Sequence, residues 1–296
     1  MKLAQKSKNT LPSSFDGIIS RIAPTPSGYL HLGNVYNFLL TYLFTRAKGG
    51  FLNLRIDDYD VGRYRREFVQ NIFDVLEFLQ LDYDGGARNL AQFEAKFSFK
   101  FRLNEYKKAL DGLKGEIYAC ECSKHTPNAY KNGIYQGLCR YKNLKFTKGL
   151  TSLKILVDSS DELGRDVGEN LGDFILYKKD DTPAYNLASV VDDELLGVNF
   201  VVRGEDLLGC TQAQIYLSRR LGYKFQNAKF IHHALFMDGG KKLSKSSNAP
   251  AIDFKNGAKF YYKIIADRLA LNPLCCDKLS NLAYEFKISQ SKIQAL

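Results

Sequence analysis

The sequence predicts an α/β protein: a doubly wound parallel sheet carrying helices on its faces, an inserted α+β domain, and a short helical region near the C-terminal end. Three observations lead there. Residues 18–56 alternate strand, helix and strand. A break at Asp84-Gly-Gly86 opens a stretch of different texture, with clustered cysteines and Gly/Asp-rich loops, that runs to about residue 184. Sheet-like and helical patterns then resume. A strand, a crossover helix and a second strand pack stably only as a parallel pair covered by the helix, so repeated alternation means a doubly wound sheet.

The elements follow in order. Met1 to Asp16 is polar and rich in Lys and Ser, without the apolar core of a secretory leader, and residues 1–17 are expected to be a flexible lead-in. Ile18–Ala23 is a buried-strand candidate that runs into a Pro/Gly turn carrying His31. A helix is expected from Asn34 to about Lys48, closed by Gly49-Gly50, and then a strand over Phe51–Ile56. From Arg65 to Gln80, Phe68, Ile72, Val75, Leu76 and Leu79 share one face at helical spacing. The insertion, residues 85–184, offers short strands at Ser152–Val157 and Phe174–Tyr177. The sheet pattern is expected to return over Ala184–Asp193 and Val198–Arg203, followed by a helix at Thr211–Leu221 and a strand near Phe230–Leu235. The main domain is therefore residues 18–84 with 185–255. Residues 256–296 read as helical, with Phe260, Tyr261, Ile264, Ile265 and Leu269 spaced for one buried face.

Composition narrows the function classes. The chain has 296 residues, 45% of them hydrophobic and 25% charged, as in an ordinary globular protein. No apolar run approaches the roughly 18 residues of a membrane span, so no membrane partner is expected. Lys and Arg number 42 against 32 Asp and Glu, a net charge of +10. Such an excess suits a polyanion such as RNA, gripped through phosphate contacts and counterion release, although a solvated basic surface has the same composition. Six cysteines without an export signal suggest reduced thiols or a metal site, and a cytoplasmic, monomeric protein is expected.

The segment Arg21-Ile-Ala-Pro-Thr-Pro-Ser-Gly-Tyr-Leu-His-Leu-Gly-Asn34 sets a strand, a turn and a helix N-terminus in succession. Backbone N–H groups and the positive end of the helix dipole then face a place where a phosphate chain can lie. His31 can donate to phosphate oxygens, with Gly33 and Asn34 in the same turn. Some 200 residues later, Lys242-Leu-Ser-Lys-Ser246 follows Gly239-Gly240, and Lys242 and Lys245 on such a loop could close over β- and γ-phosphates. Alone, the loop reads equally as a solvated basic turn, and His31 as a hydrogen-bonded turn residue.

His31-Leu-Gly-Asn34 resembles the "HIGH" box of the class I aminoacyl-tRNA synthetases, and Lys242–Ser246 resembles their "KMSKS" loop. Both occur in the family's order and at its distance. The resemblance implies a Rossmann-type catalytic domain and an amino acid activated by adenylation with Mg²⁺-bound ATP. Arg21-x-x-Pro-Thr-Pro-Ser-Gly, Arg55-Ile-Asp-Asp-Tyr-Asp60, Tyr185-Asn-Leu-Ala and Val202-Arg-Gly-Glu-Asp206 are similar to the glutamyl-tRNA synthetase branch. By that resemblance Arg21 and Arg203 contact the acidic side chain of L-glutamate, Asp57 and Tyr185 hold its α-amino end, and Ala23 and Thr25 line the pocket. The chemistry agrees, since guanidinium forks read a carboxylate, and a carboxylate with a phenol reads an ammonium. The family usually has Glu where this chain has Asp57, and His where it has Asn34.

Cys120-Glu-Cys122 and Cys139 can surround a tetrahedral Zn²⁺, which needs a fourth ligand. Imidazole is the commoner donor, which favours His125. The spacing through Ile134-Tyr-Gln-Gly-Leu-Cys-Arg140 instead resembles that of the glutamyl-queuosine tRNA(Asp) synthetases, and that resemblance implies Tyr135. The resemblance covers about residues 18–255 and stops where a glutamyl-tRNA synthetase would continue into an anticodon-binding domain. It implies a chain that presents the anticodon stem-loop of tRNA(Asp) to the adenylate and glutamylates queuosine at the wobble position. The alternatives are a short glutamyl-tRNA synthetase charging a 3′ end and a non-catalytic RNA-binding relative.

Overall fold

A computed structural model describes residues 17–238, 241–242 and 250–294. In chain order the elements are β1 (Ile19–Ile22), α1 (Leu32–Ala47), β2 (Phe51–Leu54), α2 (Arg66–Phe78), the single turn α3 (Leu90–Gln92), α4 (Leu103–Gly112), β3 (Ile117–Cys120), β4 (Tyr130–Lys131), β5 (Ile134–Tyr135) and β6 (Ser152–Ile155). There follow α5 (Glu162–Asn170), β7 (Ile175–Tyr177), α6 (Tyr185–Leu195), β8 (Phe200–Gly204), α7 (Leu208–Arg220), β9 (Lys229–His233), β10 (Met237–Asp238), β11 (Lys241–Lys242), α8 (Ala258–Arg268) and α9 (Leu279–Gln294). They fall into two compact units, Met1–Ser98 with Asn199–Arg203 and His233–Leu296, and Phe99–Val198 with Gly204–His232.

The first unit is built on a parallel sheet. β1 and β2 pair from Ile19↔Phe51 to Ile22↔Leu54. Gly85 bridges Asn53 in parallel on the far side of β2. On the other side of β1, Asn199 donates its N–H to the Ile19 carbonyl (3.0 Å) and accepts the Ile19 N–H on Oδ1 (2.9 Å), setting the start of β8 beside β1. The order is therefore 85-segment, β2, β1, with the residue that precedes β8 held against β1. Ligands of such sheets bind beyond the strands' carboxyl ends. α1 buries Val35, Tyr36, Phe38, Leu39, Leu40 and Leu43. Gly50 allows its return to the sheet, because a Cβ there would stand 2.6 Å from the Ile18 carbonyl oxygen. α8 and α9 pack on α1, with Phe44 edge-on to Phe286 at 4.9 Å. In α2 the expected apolar face is buried at Ile72, Val75 and Leu76.

The second unit joins a three-stranded antiparallel sheet, order β3-β6-β7, with the β4–β5 hairpin and α4 to α7. Arg102 forks onto Asp192 (2.7 and 3.0 Å) and the Tyr106 hydroxyl donates to the same carboxylate (2.8 Å), tying α4 to α6. Burial first, and then that carboxylate, holds the Tyr106 phenol well above its ordinary pKa.

Two sequence expectations are corrected. Residues 184–193, assigned to the resumed sheet, form helix α6. Leu187, Ala188, Ser189, Val190, Val191, Asp192 and Asp193 are all buried there, and a helix covered on most sides carries the same continuous apolar run as a buried strand. In α8 the buried face is rotated by about one residue: Tyr262 is in the core, its hydroxyl donating to the Leu79 carbonyl (2.8 Å), whereas Phe260 is 46% exposed.

Candidate active site and metal centre

The first candidate site draws on residues near the carboxyl ends of β1 and β8 and on the loops after β1 and β2. Arg21 lies near the end of β1 and Arg203 near the end of β8, both buried. Ala23 and Thr25 are half-buried in the loop after β1. That loop is stitched to the one after β2 by Arg55 N–H to the Ile22 carbonyl and Asp57 N–H to the Pro24 carbonyl, both 2.9 Å.

His31 is the N-cap of α1. Its Nδ1 accepts the Gly33 N–H (3.1 Å), while the Asn34 side chain accepts the His31 N–H (3.1 Å), a reciprocal capping box. A neutral ring whose Nδ1 accepts carries its proton on Nε2, which makes Nε2 the donor of His31. Gly33 follows from the same geometry, since an added Cβ would stand 3.0 Å from His31 Cε1. Asn34 holds His31 through the backbone. One turn on, Asn37 Nδ2 meets the Val202 carbonyl (3.3 Å) and His233 Nε2 (3.1 Å), supporting the strand at Arg203.

Asp57 is more constrained than its expected role suggests. Arg55 forks onto it (Nε–Oδ1 2.6 Å, Nη2–Oδ2 3.0 Å) and the Tyr59 hydroxyl donates to Oδ2 (3.2 Å), with all three residues buried. Asp58 accepts the Ser98 hydroxyl (2.5 Å). Sequence reasoning missed Arg55 and Tyr59. The signal was there, because residues two apart in an extended segment point the same way and Arg55-x-Asp57-x-Tyr59 is such a series. Tyr185 opens α6, half-buried, in the second unit. The backbone of Lys242 lies in β11, paired with Met237. Lys245 lies outside the described residues.

The second site lies wholly within the second unit. The thiols of Cys120, Cys122 and Cys139 are buried within 4.8 Å of one another. The Tyr135 hydroxyl sits among them, 3.3 Å from Cys120 Sγ and 3.7 Å from Cys122 Sγ, and Cys122 and Cys139 are 3.5 Å apart. A tetrahedral zinc ion with bonds of about 2.3 Å to sulfur and 2.0 Å to oxygen requires S–S and S–O separations of about 3.8 and 3.5 Å. Three thiols and a phenol thus fit such an ion. His125 is exposed outside the cluster, its backbone N–H held by Ser123 Oγ (3.2 Å). Burial pushes the Cys122 thiol up to about 11 and raises the Tyr135 phenol further, so loading the centre means displacing protons. A cavity of about 1010 Å³ lies beside it, lined by Cys122, Lys124, Tyr130, Lys154, Lys178 and Lys179 among others.

The family model for the catalytic domain of class I tRNA synthetases (E and Q) matches residues 17–144 and 155–261. The chain belongs to that family. It is 33% identical over 258 residues to the glutamyl-Q tRNA(Asp) synthetase of Acinetobacter baylyi, covering 84% of each chain. It is 34% identical over 262 residues to glutamate–tRNA ligase 1 of Helicobacter hepaticus, covering 80% of this chain and 53% of that one. The crystal structure of glutamate–tRNA synthetase from Elizabethkingia anophelis superposes with a TM-score of 0.73 at 19% identity, over 92% of this chain and 66% of that chain. This class I synthetase chain therefore spans about half of the Helicobacter ligase and about two thirds of the solved synthetase. No described helix is long and apolar enough to cross a membrane.

Proposed function

We propose that this class I synthetase activates L-glutamate with ATP and transfers it to queuosine at the wobble position of tRNA(Asp). The observation that carries the reading is the Tyr135 hydroxyl among the three thiols, the ligand set that the sequence resemblance to glutamyl-queuosine synthetases implies. The Acinetobacter relative, matched over 84% of both chains, bears that activity in its name.

In the first step an α-carboxylate oxygen of glutamate attacks the α-phosphorus, a P–O bond forms, and pyrophosphate leaves with the bridging oxygen. Arg21 and Arg203 hold the γ-carboxylate, with Asp57 and Tyr185 at the ammonium end and Ala23 and Thr25 as pocket walls. His31 donates from Nε2 to a phosphate oxygen beside the N-terminus of α1, and Lys242 and Lys245 neutralise the leaving pyrophosphate. Magnesium accompanies ATP and neutralises its phosphates. In the second step a hydroxyl of the queuosine cyclopentenediol attacks the glutamyl carbonyl carbon and AMP leaves. Cys120, Cys122, Tyr135 and Cys139 would hold one structural zinc. The +10 charge suits the RNA, here the anticodon stem-loop, and the enzyme works as a cytoplasmic monomer.

Charging with labelled glutamate tests the reading on three RNAs: tRNA(Asp) with queuosine, tRNA(Asp) without it, and tRNA(Glu). Label on the first alone is expected, falling steeply with salt. Label at the 3′ end of tRNA(Glu), with none on queuosine tRNA(Asp), would identify a short glutamyl-tRNA synthetase instead.

A further inference from the structure

We infer that Lys154 is the counter-charge of the cysteine–tyrosine centre, a positioning residue that raises its affinity for a divalent ion. The inference rests on the metal-centre reading above and concerns a residue that touches the ligands without being one. Lys154 lies on β6 and is only 3% exposed. Its ammonium stands over the Tyr135 ring, 4.0 Å from the centroid, with the Tyr130 ring at 5.7 Å. Its hydrogen bond goes to a neutral group, the Asp173 carbonyl (2.9 Å).

A buried ammonium is costly without an opposite charge. The Asp173 carboxylate supplies it only in part, from beyond salt-bridge distance. That carboxylate is taken by the Arg140 fork (2.6 and 2.9 Å), the Tyr118 hydroxyl (2.5 Å) and the Val157 N–H (3.0 Å). Among the described residues no carboxylate lies within salt-bridge distance of Lys154. Neighbouring lysines differ: Lys142 pairs with Glu121 (2.8 Å) and Lys178 with Asp180 (3.2 Å), both at the surface. The remaining source of negative charge is the centre. Three thiolates overbalance a divalent ion by one charge, and a phenolate would add a second. An electron-rich phenolate ring also attracts a cation over its face more strongly. A lysine there thus favours the ion-loaded, deprotonated ligand set over the neutral thiols.

The test measures zinc affinity by chelator competition on the full chain, alongside thermal unfolding with and without zinc. Lys154→Met removes the charge and keeps the volume, and Lys154→Gln is the second neutral variant if the first fails to fold. Lys154→Arg keeps the charge. The neutral variants should bind zinc about 10- to 100-fold more weakly, the range for partners one layer behind the ligands. Lys154→Arg should retain most of the affinity, and metal-free unfolding should barely move. Unchanged affinity in a neutral variant, or an equal loss in Lys154→Arg, would overturn the role. An unaltered chain that binds no zinc would overturn the metal-centre reading itself.

Discussion

The two sites solve opposite problems. The proposed nucleotide and amino-acid site would draw Arg21, His31, Arg55, Asp57 and Arg203 from across some 180 residues, at or just beyond strands of the first unit. The cysteine centre would take its four ligands from residues 120–139, within one hairpin and its flanks. The first is organised by charge pairing set before any ligand arrives, as in the Arg55–Asp57 fork. The second is a set of protonatable groups whose order follows from the ion it would hold. Dispersed sites are legible through topology and local ones through spacing.

The largest expected effect breaks the comparison on the metal side. Cys139→Ser should abolish tight zinc binding and destabilise the second unit, since structural zinc sites contribute on the order of 10 kcal/mol of binding free energy near neutral pH. Unfolding with and without a chelator measures it, and equal stability in both states would remove the metal from the account. The pH dependence has two signs. In the metal-free chain the Cys122 thiol is raised by burial to about 11, above its ordinary value, so its contribution is complete below about 8.5 and is lost as pH rises towards 11. In the loaded chain the thiols must be deprotonated, so zinc affinity should weaken as pH falls. Affinity that is flat from pH 8 to 6 would contradict thiolate ligation.

A smaller effect belongs to the other site. Asp57→Asn should cost about 3–5 kcal/mol of stability, because it removes the carboxylate that the buried Arg55 guanidinium forks onto. Urea unfolding measures the cost, and zinc content should not change. A loss under about 1 kcal/mol would show the fork to be dispensable for folding.

How far the sequence could be read follows from these physics. The β-α-β unit and the His31 turn were legible because strand, Gly/Pro turn and apolar helix face each follow a local period. Helix α6 was not, because burial on most sides erases the period that separates helix from strand. The α8 face slipped by one position because Phe260, Tyr261 and Tyr262 stand in a row, and only packing decides which one is exposed. Tyr135 as a neighbour of the thiols came from a spacing that resembles the family's, whereas donor chemistry alone preferred His125. Lys154 had no signal at all: in Ser152-Leu-Lys-Ile155 the alternation puts it on the polar face, where a lysine reads as solvated. Its burial depends on Tyr130, Tyr135 and Asp173, brought in from other strands and loops.

Glutamate-dependent exchange of pyrophosphate into ATP, without any tRNA, tests the central claim most directly. Exchange is expected with glutamate and little with glutamine or aspartate, because an amide mismatches buried guanidinium donors. Arg203→Ala should lower it about 10²–10³-fold, as expected when a buried charged contact is truncated. Equal exchange with glutamine or aspartate, or exchange that begins only when tRNA(Glu) is added, would contradict the account.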